Sequence, residues 1–394
     1  MEEKEINDQV KTVSSHKKNL MDAKKKKENE YYTLLEDIKS ELNNYEQFFK
    51  DKVVFCNCDD PYESNFFKYF AMNFNRLGLK KLISTCHVSS SIAMTQLSLF
   101  EDGNIDFIKG RDAFKVEINH IEDYNGDGVI NIDDVEILLR KPGIVKKLKG
   151  DGDFRSDECV ELLKKSDIIC TNPPFSDYLP AQLIKLCIEH NKQFLLICNP
   201  NIIAYKDFFP LIRDNQVWVG YKSMSSDMLF KVSPELEEIL RKTKKEGSGW
   251  RIVNGQFRAR TQAIWVTNFD ISKRHEVLTL NTMEQNLKII KSKNSKPTYQ
   301  HYSNFDGIDV NDIKRIPSDY KGPMGVPISF LEKHNPAQFK ILGLGSGNLA
   351  KEVGIKKNYR GRTDLAYVEN GINKCPYARI VIQIKEDFIQ WKLF

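Results

Sequence analysis

Residues Asp167 to Phe175 read DIICTNPPF, and the reading of these nine residues decides the fold. Ile168, Ile169 and Cys170 form a short apolar run rich in β-branching, as expected of a strand buried on both faces of a parallel sheet. The strand stops abruptly. Pro173 biases Asn172 away from helical dihedrals, and two successive prolines cannot donate to a ladder. Asn172, Pro173, Pro174 and Phe175 should therefore form a rigid turn at the strand's carboxyl end, where open α/β sheets hold their ligands.

Such a turn has specific chemistry. The Asn172 amide and the Pro173 carbonyl, fixed side by side, present two acceptors to one exocyclic amino group. Phe175 would stack on a flat base, worth about 1–3 kcal/mol by substitution. Taking both amino hydrogens favours a more tetrahedral nitrogen whose lone pair is free to attack a methyl donor, which is catalysis by positioning and electrostatics. The tetrapeptide resembles the (N/D)PP(Y/F) signature of amino-group methyltransferases that use S-adenosylmethionine. A plain strand-to-loop turn is the alternative, since Pro-Pro pairs mark loops in many proteins.

At 394 residues the chain has room for two domains, or for one α/β domain with a large appendage. Its 41% hydrophobic and 29% charged residues are those of an ordinary soluble protein. No apolar run reaches membrane-spanning length and no signal peptide is visible, so a cytoplasmic location without membrane contact is expected. The eight cysteines mostly lie in apolar runs, as reduced core residues do. The net charge of +5 decides little.

Upstream, residues 1 to about 50 make an N-terminal helical segment, with a lysine cluster at Lys24 to Lys27. From Tyr31, apolar residues recur every three or four positions through Leu35, Ile38, Leu42, Tyr45 and Phe49. A strand at Val53 to Cys56, a helix from about Ser64 to Leu77 stopped by Gly78, and a strand from Leu79 to Cys86 then form a βαβ unit. Its first loop is where a cofactor should lie. That loop, CNCDDPYESN, lacks a glycine phosphate cradle but offers Asp59 and Asp60 to a cationic sulfonium and ammonium. Acidic turn residues before a helix are also common on structural grounds. In GDGDF, Asp153 and Phe154 would reach the same cleft, to accept from and cover an adenine, or would simply lead into the helix capped by Ser156.

Two further stretches invite functional readings. In DYNGDGVINIDD, Asp123, Asn125, Asp127, Val129, Asn131 and Asp134 occupy the ligand positions of an EF-hand loop, with Gly128 at its turn, so a structural calcium is expected. Against it, the last ligand is Asp rather than Glu, the flank looks strand-like, and a metal-free turn held by Asx side chains would serve as well. The second is a basic insertion, residues 222–262, in which Arg251, Arg258 and Arg260 with Trp250 and Phe257 suit phosphate contacts to DNA. A solvated charge run is the alternative. Downstream, ILGLGSGNL looks like a rival cofactor loop, but the 45 residues after Leu349 are too few for a cofactor-binding half, so Gly343 to Gly347 is read as a turn.

Taken together, CNCDDPYESNFFKYFAMNF, LGLKKLISTCH, GDGDFRSDEC, DIICTNPPFSDY, QFLLICNPNIIAYKDFFPLI, VWVGY, WVTNFD, MGVPISFL and YARIVI resemble, in order from Val53 to Ile384, the EcoRI-type family of adenine-specific DNA methyltransferases. The resemblance implies an α/β fold with a doubly wound, mostly parallel sheet of the class I methyltransferase type, an N-terminal helix and a C-terminal α+β region. It implies methyl transfer from S-adenosylmethionine to the amino nitrogen of a flipped-out adenine in double-stranded DNA. It puts Asn172, Pro173 and Phe175 in the catalytic box, Asp59 and Asn65 in the cofactor loop and Asp153 in the third motif. A methyltransferase domain over 51–270 and a DNA-recognition region over 271–394 follow, with a separate restriction endonuclease as a partner. The second strand departs from the general pattern, ending in Cys86 and His87 where an acid usually binds the ribose. Competing readings are the same chemistry on cytosine N4, RNA or protein glutamine, and a calcium-regulated DNA-binding protein without turnover.

Overall fold

The computed structural model describes residues 31–88, 113–174, 178–292 and 299–390. Lys24 to Lys27 and Phe175 lie outside them. The chain divides into two compact units, residues 1–199 with 226–265 and residues 200–225 with 266–394. Residues 200–225 thus group with the C-terminal part rather than with the sheet that precedes them.

The first unit is α/β. Its central strands, β2 (Val53–Cys56), β3 (Lys81–Cys86), β6 (Ile168–Thr171) and β7 (Gln193–Cys198), run parallel, with β2 flanked by β3 on one side and β6 on the other. All four residues of β2 and of β6 are buried, as short strands covered on both faces require. β4 (Phe114–Ile118) pairs antiparallel with β3, and β5 (Val145–Lys147) antiparallel with β4. The order is β5-β4-β3-β2-β6-β7, followed by β12 (Ile264–Thr267). The winding therefore reverses between β2 and β6. In open α/β sheets the loops leaving the carboxyl ends of two such strands diverge to opposite sides and leave a crevice that binds ligands.

Helices cover this sheet for legible reasons. The Ser64 hydroxyl accepts from the Phe66 and Phe67 amides and caps the helix Asn65–Met72, whose Phe66, Phe67, Tyr69, Phe70 and Ala71 are buried. After a break at Asn73 the helix Phe74–Leu77 ends on Gly78 at φ +62°, a left-handed cap that glycine adopts without strain. Ile38, Leu42, Tyr45 and Phe49, the periodic apolar set, are wholly buried. That periodicity predicts helix from Tyr31, but the helix begins at Leu35, and Tyr31–Thr33 is instead strand β1.

The basic insertion is a folded sheet rather than a loop. β9 (Asp227–Val232), β10 (Trp250–Val253) and β11 (Gln256–Gln262) join β1 in an antiparallel sheet of order β1-β9-β11-β10. A helix, Pro234–Thr243, capped by the Ser233 hydroxyl, connects β9 to β10.

In the second unit, β8 (Trp218–Val219) pairs antiparallel with Val266 and Thr267. A sheet of order β13-β14-β18-β15 is built from β13 (Ile308–Asp309), β14 (Met324–Pro327), β15 (Phe339–Leu344) and β18 (Arg379–Ile384). The glycines of ILGLGSGNL serve this packing. A Cβ on Gly343 would lie 2.2 Å from Val353 Cγ2, and one on Gly345 2.5 Å from Leu365 Cδ1. Among the described residues no helix is long and apolar enough to cross a membrane.

Gly343→Ala is accordingly expected to cost about 1–3 kcal/mol through overpacking and to lower the thermal midpoint, with affinity for S-adenosylmethionine unchanged by calorimetry. A normal midpoint with lost cofactor affinity would restore the rival loop.

Candidate active site

The residues singled out around the crevice converge on one buried carboxylate. Asp59, in the loop after β2, is 5% exposed. The Ser64 hydroxyl donates to its Oδ1 at 2.6 Å, and the Thr171 hydroxyl, at the end of β6, donates to its Oδ2 in a very short bond. The backbone N–H of Asn172 also reaches this carboxylate. Thr171 Oγ1 in turn accepts from the Cys58 amide at 3.1 Å. Burial pushes the Asp59 carboxyl up to about 6, and the hydrogen bonds from Ser64, Thr171 and Asn172 oppose that shift. From β3, Ser84 donates to the carbonyls of Cys56 and Asp59, and Thr85 to that of Asn57. The loop after β2 is thus held by its own strand's neighbours on both sides.

The NPP turn sits on this tie. Pro173 is buried and Pro174 exposed. The Asn172 side-chain Nδ2 donates to the Tyr31 carbonyl at 2.6 Å. Its Oδ1 is buried and accepts from no group among the described residues. A buried polar atom without a partner costs about 1–3 kcal/mol, so an unsatisfied acceptor at this corner marks a place for a donor from outside the chain. Asn57 Nδ2, in the loop after β2, is a second buried atom of this kind, and it is a donor. The sequence reading passed over Asn57 because nothing in CNCDD distinguishes it from a turn residue.

Asn65, by contrast, is engaged within the chain, its Nδ2 donating to the Thr33 carbonyl at 2.7 Å. Asp60 accepts from the Tyr62 amide at 2.9 Å, and its Oδ2 lies 3.4 Å from the Cys86 thiol at the end of β3. The GDGDF loop meets the same strand end. Gly152 has φ +79°, and a Cβ there would lie 2.4 Å from the Cys86 carbonyl oxygen, so only glycine permits this approach. Asp153 follows directly. Arg155 grips it through Nε at 2.9 Å and Nη2 at 2.6 Å, which holds its carboxyl below the usual range, and Phe154 beside it is buried.

The structure gives the expected calcium no support. The Asp123 carboxylate accepts backbone N–H groups from Gly126, Asp127 and Gly128, and the Asp134 carboxylate those of Tyr124, Asn125 and Asn131. Asn125 and Asn131 donate to Asp127, whose other oxygen takes the Val129 amide. Asn131 and Asp134 form a capping box for the helix Ile132–Leu139. The acidic spacing is spent on a turn and a helix start, and among the described residues no group of three His, Cys, Asp or Glu side chains could hold a metal.

Of the three arginines expected to contact DNA, Arg260 is committed to Asp227 and to the Gly247 carbonyl. Arg251 and Arg258 stand directly opposite each other on β10 and β11. Trp250 and Phe257 stack on each other at 5.3 Å with the Arg241 guanidinium over both rings, so these aromatics build the insertion's own face.

Comparison with known proteins adds a family. The family model described as adenine-specific methyltransferase EcoRI matches residues 19–385. The Type II methyltransferase M.EcoRI of Escherichia coli is 39% identical over 363 residues, 92% of this chain and 95% of that protein. M.MgeORF184P of Mycoplasma genitalium is 34% identical over 362 residues, covering 92% and 97%. M.MpnI of Mycoplasma pneumoniae is 33% identical over 371 residues, covering 93% and 98%. No solved structure matches.

The raised Asp59 carboxyl has a consequence for stability. Its folded value of about 6 lies above its ordinary value of 3.8, so the folded state binds the proton more tightly and folding is favoured at low pH. That contribution is complete below the ordinary value and is lost as pH rises through about 6. Wild type relative to Asp59→Asn should therefore gain stability between pH 7 and pH 5 in thermal melts, and parallel curves would refute the assignment.

Proposed function

The chain belongs to the EcoRI family of adenine-specific methyltransferases, and from that premise we propose that it methylates the N6 amino group of adenine in double-stranded DNA as the modification enzyme of a restriction–modification system. The observation that carries the proposal is the buried, unpartnered Oδ1 of Asn172, set before Pro173 at the carboxyl end of β6. The strand order, reversing between β2 and β6, supports a doubly wound sheet of the class I methyltransferase type.

In this reading Asn172 Oδ1 and the Pro173 carbonyl accept the two hydrogens of the target amino group. Both are acceptors only, so the site favours NH2 over a ring carbonyl. Accepting both hydrogens draws the nitrogen lone pair out of conjugation with the ring and leaves it available to attack. With S-adenosylmethionine bound, the nitrogen would form its bond to the methyl carbon as the sulfur–methyl bond breaks, and the surplus amino proton would pass to water. The target adenine would be flipped out of the duplex to reach this corner, at a cost of a few kcal/mol. Phe175 would stack on it.

S-adenosylmethionine, when bound, supplies the methyl group. The residues of the loop after β2 fit it in charge and polarity: Asp59 and Asp60 lend negative potential, and Asn57 Nδ2 is a buried donor without an acceptor. Asp60 reaches the end of β3 and offers there the carboxylate that Cys86 and His87 do not provide. Asp153 and Phe154 follow the glycine approach to the same strand end, in reach of the adenine moiety. Asp59 serves chiefly by locking the loop to the NPP turn. Arg251 and Arg258, like charges opposed on one ladder, are destabilising until an anion lies between them, which suits a DNA phosphate. A separate endonuclease reading the same site would complete the system.

Two experiments test this. Asn172→Ala should lower methylation at least about 100-fold, as loss of a preorganised electrostatic contact does, with duplex binding retained. Nucleoside mass spectrometry should find N6-methyladenine, and N4-methylcytosine alone would reject the choice of base. Arg251→Ala with Arg258→Ala should weaken DNA binding similarly across sequences and reduce its log–log salt slope by roughly 2. An unchanged slope would remove both from the interface.

A further inference from the structure

The acceptor role of Asn172 leaves one contact unexplained, the bond from its Nδ2 to the Tyr31 carbonyl. Among the described residues β1 is the edge strand of its sheet, paired with β9. Carbonyls two residues apart on a strand point to the same edge, and an open edge presents groups in need of partners. Tyr31 and Thr33 are two apart. Their carbonyls accept from Asn172 at 2.6 Å and from Asn65 at 2.7 Å, so two asparagine side chains close this edge. Asn172 belongs to the NPP turn, and Asn65 opens the helix that follows the cofactor loop. The strand itself is seated firmly: Tyr31 lies opposite Val232, and its ring meets Phe230 edge-on at 5.5 Å.

A side-chain amide has two faces of nearly equal shape and opposite hydrogen-bonding sense. Turned one way, Asn172 offers an acceptor to the target, and turned the other it offers a donor. The carbonyl of Tyr31 can only accept. Its bond to Nδ2 leaves Oδ1 as the atom that faces the remaining space, where it is buried and unpartnered. We propose that β1 is a positioning strand for methyl transfer: the Tyr31 carbonyl selects the amide orientation in which Asn172 accepts, and thereby restricts the site to an amino-bearing base. A base with a carbonyl at that position would meet two acceptors and be repelled. The inference rests on the acceptor role proposed above, and it assigns to the segment before the first helix a part in the chemistry that its sequence, YYT, does not reveal.

The test is a double-mutant cycle in the full chain. Asn172→Asp keeps the shape and an acceptor but has no donor for the Tyr31 carbonyl when ionised. It should slow single-turnover methylation about 100-fold while cofactor and duplex dissociation constants stay within about 3-fold. Tyr32→Pro should displace β1 from β9, and in that background Asn and Asp at position 172 should differ by less than about 3-fold. An equal Asn-to-Asp ratio in both backgrounds overturns the proposal. So does Asn172→Asp methylating at the wild-type rate, although a carboxylate still accepts and the acceptor role would survive. Failure of that role itself reads out separately, as a fully active Asn172→Ala. Should Tyr32→Pro not fold by circular dichroism, a crystal structure of the wild-type chain decides: Asn172 Nδ2 in hydrogen-bond range of the Tyr31 carbonyl supports the inference, and a reversed amide or a displaced β1 overturns it.

Discussion

Everything at the crevice depends on one buried carboxylate with three donors. Asp59 is taken out of water, and Ser64, Thr171 and the Asn172 amide supply the solvation it has lost. Those donors come from a helix cap, the last residue of a central strand and the first residue of the NPP turn. The bond to Ser64 fixes where the helix Asn65–Met72 begins, and the bonds to Thr171 and Asn172 fix the height of the NPP corner relative to the loop after β2. A charge shared among three elements couples their positions more tightly than apolar packing could, because hydrogen bonds are directional and a lost one leaves a buried group unpaired.

From that tie the arrangement extends outward. β3 secures the loop's carbonyls through Ser84 and Thr85, and Gly152 lets the GDGDF loop close against the end of the same strand. On the other side, Asn172 and Asn65 reach past the sheet to β1, which belongs to the sheet of the basic insertion. Side-chain amides therefore link the two sheets of the first unit. Amides carry orientation as well as contact, and orientation is what an acceptor site for an amino group requires.

The places where sequence and structure part company share a cause. Asp59 and Asn65 stand in the loop read as the cofactor's, and the Asp59 carboxylate and Asn65 Nδ2 have partners inside the chain. The EF-hand spacing of residues 123–134 is present in full, but its carboxylates fold back onto backbone amides. Arg260 looks like its basic neighbours in sequence and is paired with Asp227. Acids, amides and guanidinium groups advertise chemistry in a sequence, and a sequence does not say which of them have already found partners.

What the sequence determined by itself is the local and the periodic. DIICT followed by NPP specified a buried strand and a rigid corner, because proline's missing donor and fixed ring act wherever they stand. The βαβ unit before it, the Ser64 cap, the Gly78 stop and the apolar face through Ile38, Leu42, Tyr45 and Phe49 follow from spacings of a few residues, and the ordered motifs identified the family. Tertiary structure decided the rest: that YYT becomes a strand whose carbonyls accept from Asn172 and Asn65, that Asn57 is left with an unused donor among the described residues, and that the insertion pairs with β1 to make a sheet. Those outcomes depend on contacts between residues more than a hundred positions apart, such as Asn172 with Tyr31 and Thr171 with Asp59. No local spacing encodes such contacts, since each exists only once the whole sheet has brought its two partners together.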